Sequence, residues 1–311
     1  MRAMRQIQTR SWRRGFAFAL LGSLLWGLTP SVTKLAVEAV AADLLAFLRL
    51  AVAAVAFRAL ARTPASALLG NRWTWIAGVA LGGDFLLYTR GLESTMASTA
   101  AVLVCVEPVV TILLAVWLLG ERWNAHRAVG SILTLLGVLV AGLHGLDPGG
   151  DTPGSVLAGN AMIVAAAILW SVYAVAQRKT LTDHDWASRL HAIFLVGSLV
   201  TLPFALVQLR VTPGASFVSW GSVVVVVLFC TAGVYAVYAK AQRLLDVGVL
   251  SLLLAGIPVF SLLFAQLLLR EPFSFALMAA GVCVFAGSLV LATEPLPSRT
   301  PVSTLPAGKS H

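Results

Sequence analysis

Apolar positions along this chain neither alternate nor mark one face of a helix; they run on. Ten stretches of about 20 residues are almost continuously hydrophobic: 15–37, 42–61, 73–91, 97–119, 124–143, 156–178, 186–208, 218–241, 247–269 and 273–292. At 1.5 Å per residue, that length is what a helix needs to cross a hydrocarbon layer of about 30 Å. Unbroken rather than alternating hydrophobicity argues against barrel strands. The pattern therefore predicts an all-α integral membrane protein with ten transmembrane helices. Most connections are short. The longest, 144–155 (HGLDPGGDTPGS), is rich in turn formers and falls at the middle of the chain. Residues 63–72 (TPASALLGNR) read as a loop or a short interfacial helix. The stretch 294–311 holds Pro295, Pro297, Pro301 and Pro306 and reads as a disordered tail.

Composition agrees with the pattern. Apolar residues make up 59% and charged residues 11% of 311, against roughly 45–50% and 25% in soluble domains. This excludes an ordinary soluble enzyme, a disordered chain and a disulfide-stapled secreted module. The net charge of +9 comes with no basic patch interleaved with aromatics, so no nucleic-acid partner is expected. Its distribution reports orientation instead. With the N-terminus in the cytoplasm, 17 of the 22 Lys and Arg residues fall on inner segments. The outer segments hold Lys34, Arg90, Arg210 and Arg270, and Arg49 lies within a span. That bias is the one the positive-inside rule demands. Residues 1–14 then form a basic cytoplasmic N-terminus, the C-terminal tail is cytoplasmic, and 144–155 is an outer linker. Trp12, Trp73, Trp75, Trp123 and Trp186 fall at the inner interface. The apolar run after Arg14 is too long for a cleaved signal. Cys105, Cys230 and Cys283 all lie in apolar stretches without pairing spacing, and read as small buried residues.

The chain repeats itself. LLWGLTPSVTKL (24–35) matches ILWSVYAVAQRK (168–179), with Trp26 over Trp170 and Lys34 over Arg178. VLVCVEPVVTILLAVWLLGE (102–121) matches LLLAGIPVFSLLFAQLLLRE (252–271), with Pro108 over Pro258 and Glu121 over Glu271. At the same offset of 150, Tyr88 meets Tyr238 and Gly137 meets Gly287. Each half, 15–143 and 156–293, carries five predicted spans. An odd number makes the second copy cross the bilayer in the opposite sense, giving two inverted five-helix repeats. That construction lets a central site open to either face in turn.

These residues resemble the EamA-type transporters of the drug/metabolite transporter superfamily. The stretches ASTAAVLVCVEPVVTILLAVWLLGERW (97–123) and LDVGVLSLLLAGIPVFSLLFAQLLLREPF (245–273) carry most of the likeness, with the Leu-Trp pairs of spans one and six. It covers the chain from Gly15 to Thr293. The resemblance implies carriers of amino acids, metabolites, sugars or toxic compounds, many of them exporters. Ile257, standing where the first half has Glu107, departs from repeat symmetry.

Charged groups in mid-membrane are costly and usually face a cavity or a partner. Arg49, Asp84 and Glu107 occupy similar depths in spans two, three and four. They form either a floor for a solute or coupling proton, or a structural cluster such as an Arg49–Glu107 pair. Arg49 keeps its proton, so a coupling proton would ride on Asp84 or Glu107. Tyr88 shares a face with Asp84, and Thr111 follows Glu107 by one turn. Trp26, Thr29 and Thr33 line one side of span one. Trp170, Tyr173 and Gln177 do so on span six, and Thr231, Tyr235 and Tyr238 on span eight. Tyr hydroxyls and indole N–H groups away from the interface need partners. A polar-aromatic pocket is one reading of Trp26 and Trp170; packing or lipid contact is the other. Pro30, Pro108 and Pro258 predict helix kinks, which either free carbonyls toward a cavity or merely shape packing. Gly78 and Gly82 form a GxxxG suited to close helix packing. Glu121 and Glu271, at span ends, read as caps or loop ion pairs.

No GxSxG, HExxH or GxxxxGK[ST] motif is present, so hydrolase, zincin and ATPase readings lack an anchor. Asp183, His184 and Asp185 read as a solvated turn rather than metal ligands. The expected function is secondary transport of a small organic solute, an amino acid or related metabolite, across the cytoplasmic membrane by alternating access, with export as the direction. The alternatives are a multidrug exporter of lipophilic cations and, in another class, a membrane enzyme or non-transporting scaffold. No enzyme activity, cofactor or metal is expected. The expected partners are the solute, membrane lipid and protons, and a monomer suffices.

Overall fold

The computed structural model describes residues 2–120, 123–144, 153–180, 186–245, 247–272 and 274–293. All regular structure among them is helical, with one isolated antiparallel bridge between Val40 and Val211. In chain order the helices are α1 (Arg2–Ala36), α2 (Ala42–Leu60), α3 (Ser66–Leu69), α4 (Arg72–Ser94), α5 (Ala97–Leu103), α6 (Glu107–Leu119) and α7 (Ala125–His144). There follow α8 (Pro153–Lys179), α9 (Trp186–Val207), α10 (Phe217–Val224), α11 (Val234–Leu244), α12 (Val247–Leu254), α13 (Ile257–Leu269) and α14 (Phe275–Ala292). Helix α1 starts at Arg2, so the basic residues from Arg2 to Arg14 are helical and run without a break into the first apolar stretch. The tail at 294–311, Asp183–His184–Asp185, Glu121 and most of the linker at 144–155 lie outside the described residues.

Three predicted spans are interrupted, each for a local reason. The stretch 97–119 divides into α5 and α6, joined by a 3₁₀ turn at Val104–Val106. The stretch 247–269 divides into α12 and α13 at Ala255–Gly256. Pro108 and Pro258 sit in the first turn of the second piece rather than mid-helix. A proline is tolerated there because the first N–H groups of a helix have no intrahelical partner. The two breaks lie 150 residues apart, and the correspondence continues to the helix ends. Gly120 closes α6 and Arg270 closes α13, both in the left-handed region, with φ of 69° and 53°. Pro30 lies inside α1, which continues through it.

The third interruption is a π-helical stretch, Val225–Gly233, between α10 and α11. The Thr231 hydroxyl donates to the Val226 carbonyl at 2.7 Å. A side-chain donor reaching back five residues supports a turn one residue wider than α-helical. Such bulges concentrate at functional sites.

Polarity is distributed inside out. Ser23, Ser31, Thr33, Thr134 and Thr231 are fully buried, whereas Val207 is 85% and Leu267 72% exposed. Water would not tolerate this arrangement, and a hydrocarbon surround favours it. Among the described residues, eight helical stretches are long and apolar enough to cross a membrane. The predicted second and third spans also form helices, α2 and α4, but fall outside those eight. Their charges are the reason: Asp43, Arg49 and Arg58 on α2, and Arg72, Asp84, Arg90 and Glu93 on α4.

Packing interleaves the two halves of the chain. α4 lies against α8 and α9, α2 against α9, α7 against α14, and α1 against α11 and α13. Small residues allow the closest of these approaches. A Cβ added to Gly82 would lie 2.9 Å from the Gly197 carbonyl oxygen, so α4 and α9 touch backbone to backbone there.

Candidate functional site

Two neighbouring groups of side chains occupy the middle of the bundle. The first is charged. Arg49 is 4% and Asp84 8% exposed. The Arg49 Nε donates to Thr231 Oγ1 at 3.0 Å, and its guanidinium lies 4.3 Å from the centroid of the Phe85 ring. Its Nη1 is buried with no hydrogen-bond partner. Asp84, Tyr88, Cys230 and Tyr235 are all within electrostatic reach of the guanidinium, and Glu107 is within reach of Asp84. Neither carboxylate makes a side-chain hydrogen bond or ion pair among the described residues. The sequence-level pairing of Arg49 with Glu107 is therefore not the arrangement found. Glu107 and Tyr88 are half-buried despite their depth. The Glu107 backbone is held by Ser171, whose hydroxyl donates to its carbonyl at 3.0 Å.

The second group is aromatic. Trp26 packs edge-on against Tyr238, Tyr235 and Trp170, at centroid distances of 5.0, 6.0 and 6.3 Å. Trp170 also meets Tyr173 at 5.1 Å and Tyr235 at 5.9 Å. Tyr235 closes the column against Phe194 at 4.9 Å, and its buried hydroxyl has no partner. Thr231, Tyr235 and Tyr238 follow one another at three- to four-residue spacing along one face. The aromatic column thus extends from the charged group toward Lys240 and Arg243, over about 10 Å.

Of the residues singled out from the sequence, the structure joins Arg49, Asp84, Tyr88 and Glu107 in one group and Trp26, Trp170, Tyr173, Tyr235 and Tyr238 in the other. Thr111, half-buried on α6, has no hydrogen bond into either. Phe85 and Phe194 pack into these groups without having been singled out, because an apolar residue in an apolar helix carries no signal of its own, and Cys230, read from the sequence as a small buried residue, is buried within reach of Arg49.

At one end of the bundle three ties hold loops and helix ends. Arg90 makes a two-pronged ion pair with Asp43, at 2.6 and 2.7 Å. Lys34 donates to the carbonyls of Leu92 and Thr95, where α4 ends. Ser219 donates to Glu38 at 2.6 Å, beside the Val40–Val211 bridge. Glu271 caps α5: the N–H groups of Ala97 and Ser98 donate to its two oxygens at 2.7 and 2.9 Å, and the Ser98 hydroxyl donates as well. Among the described residues, no three His, Cys, Asp or Glu side chains are placed to hold a metal ion.

Comparison with known proteins agrees with this architecture. The EamA-like transporter family model matches twice, over residues 13–143 and 157–293. The chain is 28% identical over 293 residues to the uncharacterized transporter YetK of Bacillus subtilis (strain 168), covering 88% of this chain and 84% of that one. It is 24% identical over 291 residues to the uncharacterized inner membrane transporter YhbE of Escherichia coli (strain K12), covering 89% and 88%. One solved crystal structure, 22% identical, superposes with a TM-score of 0.61 over 91% of this chain and 96% of its own, and so shares the fold.

Proposed function

The chain belongs to the EamA-like transporter family, and from that premise we propose that it is a secondary transporter exporting an amino acid or a related small metabolite by alternating access. One observation carries the solute class. Asp84, beside an Arg49 whose Nη1 is buried and unpartnered, and Glu107, within reach of Asp84, make no side-chain hydrogen bond among the described residues. Burying such groups is unfavourable unless something pairs with them. A solute bearing both an amine and a carboxylate supplies both partners, and the faces of Tyr and Trp favour the amine further.

In this reading α2 and α4 cross the bilayer with the eight more apolar stretches, giving ten spans. Residues 15–143 and 156–293 are the two inverted repeats, with both termini cytoplasmic. The breaks at Val104–Val106 and Ala255–Gly256, and the left-handed ends at Gly120 and Arg270, support the repeat because they recur at one offset. A proton on Asp84 or Glu107 couples the cycle, and one copy of the chain is a complete carrier.

The test is counterflow in proteoliposomes with a panel of amino acids, simple amines, simple carboxylates and lipophilic cations. Uptake confined to zwitterions is the expected result. Uptake of lipophilic cations alone would make the protein a multidrug exporter. Absence of flux for every compound would overturn transport of these classes.

A further inference from the structure

Arg49 is held on two sides by groups that leave a third side open. Its Nε–H donates to Thr231 Oγ1 at 3.0 Å. The Thr231 proton is committed to the Val226 carbonyl at 2.7 Å, so toward Arg49 the hydroxyl can only accept. That carbonyl lies five residues back, within the π-helical stretch Val225–Gly233, so the hydroxyl is fixed from its own helix. One face of the guanidinium lies on the Phe85 ring, 4.3 Å from its centroid. The ring is backed by Phe194 at 6.4 Å, and Phe194 by Tyr235 at 4.9 Å. A hydrogen bond at Nε and a ring under one face fix a planar fork both within its plane and in its tilt.

The remaining edge has no partner. Nη1 is buried and makes no hydrogen bond. Asp84 lies within electrostatic reach of the guanidinium, yet no ion pair joins the two among the described residues. Consecutive residues of a helix do not share a face, so α4, in presenting Phe85 to the guanidinium, turns Asp84 aside. A buried N–H of a charged group left unpaired is costly. A carboxylate, planar and with two acceptor oxygens, is the group that matches a guanidinium edge. Resting on the solute class proposed above, we propose that Thr231 and Phe85 are positioning residues that set Arg49 as the receptor for the solute's carboxylate, and so select carboxylate-bearing solutes over simple amines.

The purified protein in detergent is titrated with propionate and, separately, with ethylamine at constant ionic strength. Each affinity is read from the rise in unfolding temperature with ligand, whatever the starting stability of the variant. Propionate carries the carboxylate without the amine, and ethylamine the reverse. Thr231→Val should weaken propionate about tenfold, the scale of one charge-assisted hydrogen bond lost to misorientation, and leave ethylamine unchanged. Thr231→Ser keeps the acceptor and should restore propionate. Phe85→Leu should weaken propionate several-fold, with ethylamine again unchanged, and serves as the same test where Thr231→Val folds poorly. Equal propionate affinity in the parent, Thr231→Val and Phe85→Leu, equal weakening of both probes, or no propionate binding by the parent would each overturn the proposal. Zwitterion flux in proteoliposomes without propionate binding would overturn it and leave transport standing. The expected propionate pattern without flux would support it and overturn transport.

Discussion

Arg49 on α2 and Thr231 in the π-helical stretch are joined by a 3.0 Å hydrogen bond, and the Thr231 hydroxyl in turn donates to the Val226 carbonyl. A charged side chain from one half of the molecule thus rests on the widened turn of a helix from the other half. Thr231→Val keeps the volume but removes the acceptor, leaving the buried Nε as unsatisfied as Nη1 already is. A loss of about 2–3 kcal/mol is expected, typical of a charged donor left unpaired. Thermal unfolding in detergent measures it, and Thr231→Ser should restore most of it.

Asp84→Asn and Glu107→Gln should separate folding from function. Each carboxylate is deep in the bundle without a hydrogen-bond partner, so its charge opposes folding. Neutralising it should leave the unfolding temperature unchanged or raised. Transport should fall by about tenfold or more, the equivalent of roughly 1.4 kcal/mol of lost solute interaction. A fall in both quantities would mark the carboxylates as structural.

Tyr235→Phe follows the same logic in a neutral group. The hydroxyl is buried and unpartnered while the ring packs against Phe194, Trp26, Trp170 and Tyr173. Removing the oxygen keeps every ring contact and relieves an orphaned donor. Stability should hold or improve, and a raised Km for the solute in counterflow would identify the hydroxyl as its contact.

The Asp43–Arg90 pair should behave in the opposite way. Asp43 is 2% exposed at its side chain and depends on Arg90 for two hydrogen bonds. Arg90→Gln strands a buried carboxylate and should cost about 3 kcal/mol. Adding Asp43→Asn should recover a large part of that loss, a coupling that a double-mutant cycle of unfolding temperatures detects.

Glu271→Ala should loosen the start of α5, where three donors lose their acceptor. About 1–2 kcal/mol is expected, as for other helix caps. Hydrogen exchange should rise at Ala97 and Ser98 first.

The bundle's helices were legible because a 20-residue apolar run has few other uses. Arg49, Asp84, Glu107 and Tyr88 were legible because charge and hydroxyl stand out against that background. Thr231 stood out as well, but not its bonds: VVVLF reads as ordinary helix, and the arginine that donates to Thr231 lies 182 residues away. The ion pair of Asp43 with Arg90 was hidden for the converse reason, since charges at span ends are commonplace and imply no partner. Pro108 and Pro258 marked the right places, yet a proline alone does not distinguish a bend within one helix from the first turn of a new one. Phe85 and Phe194 became part of the site only through what packs on them.

The interleaving of the two halves also bears on biogenesis. α4 finds its main neighbours in α8 and α9, and the last residue of α4 is made 92 residues before the first of α9. At ribosomal speeds of about 5–20 residues per second, α4 waits roughly 5–20 s with only the earlier helices α1, α2 and α3 to pack against. During that interval Arg49 on α2, already synthesised, is the cation within electrostatic reach of the Asp84 carboxylate.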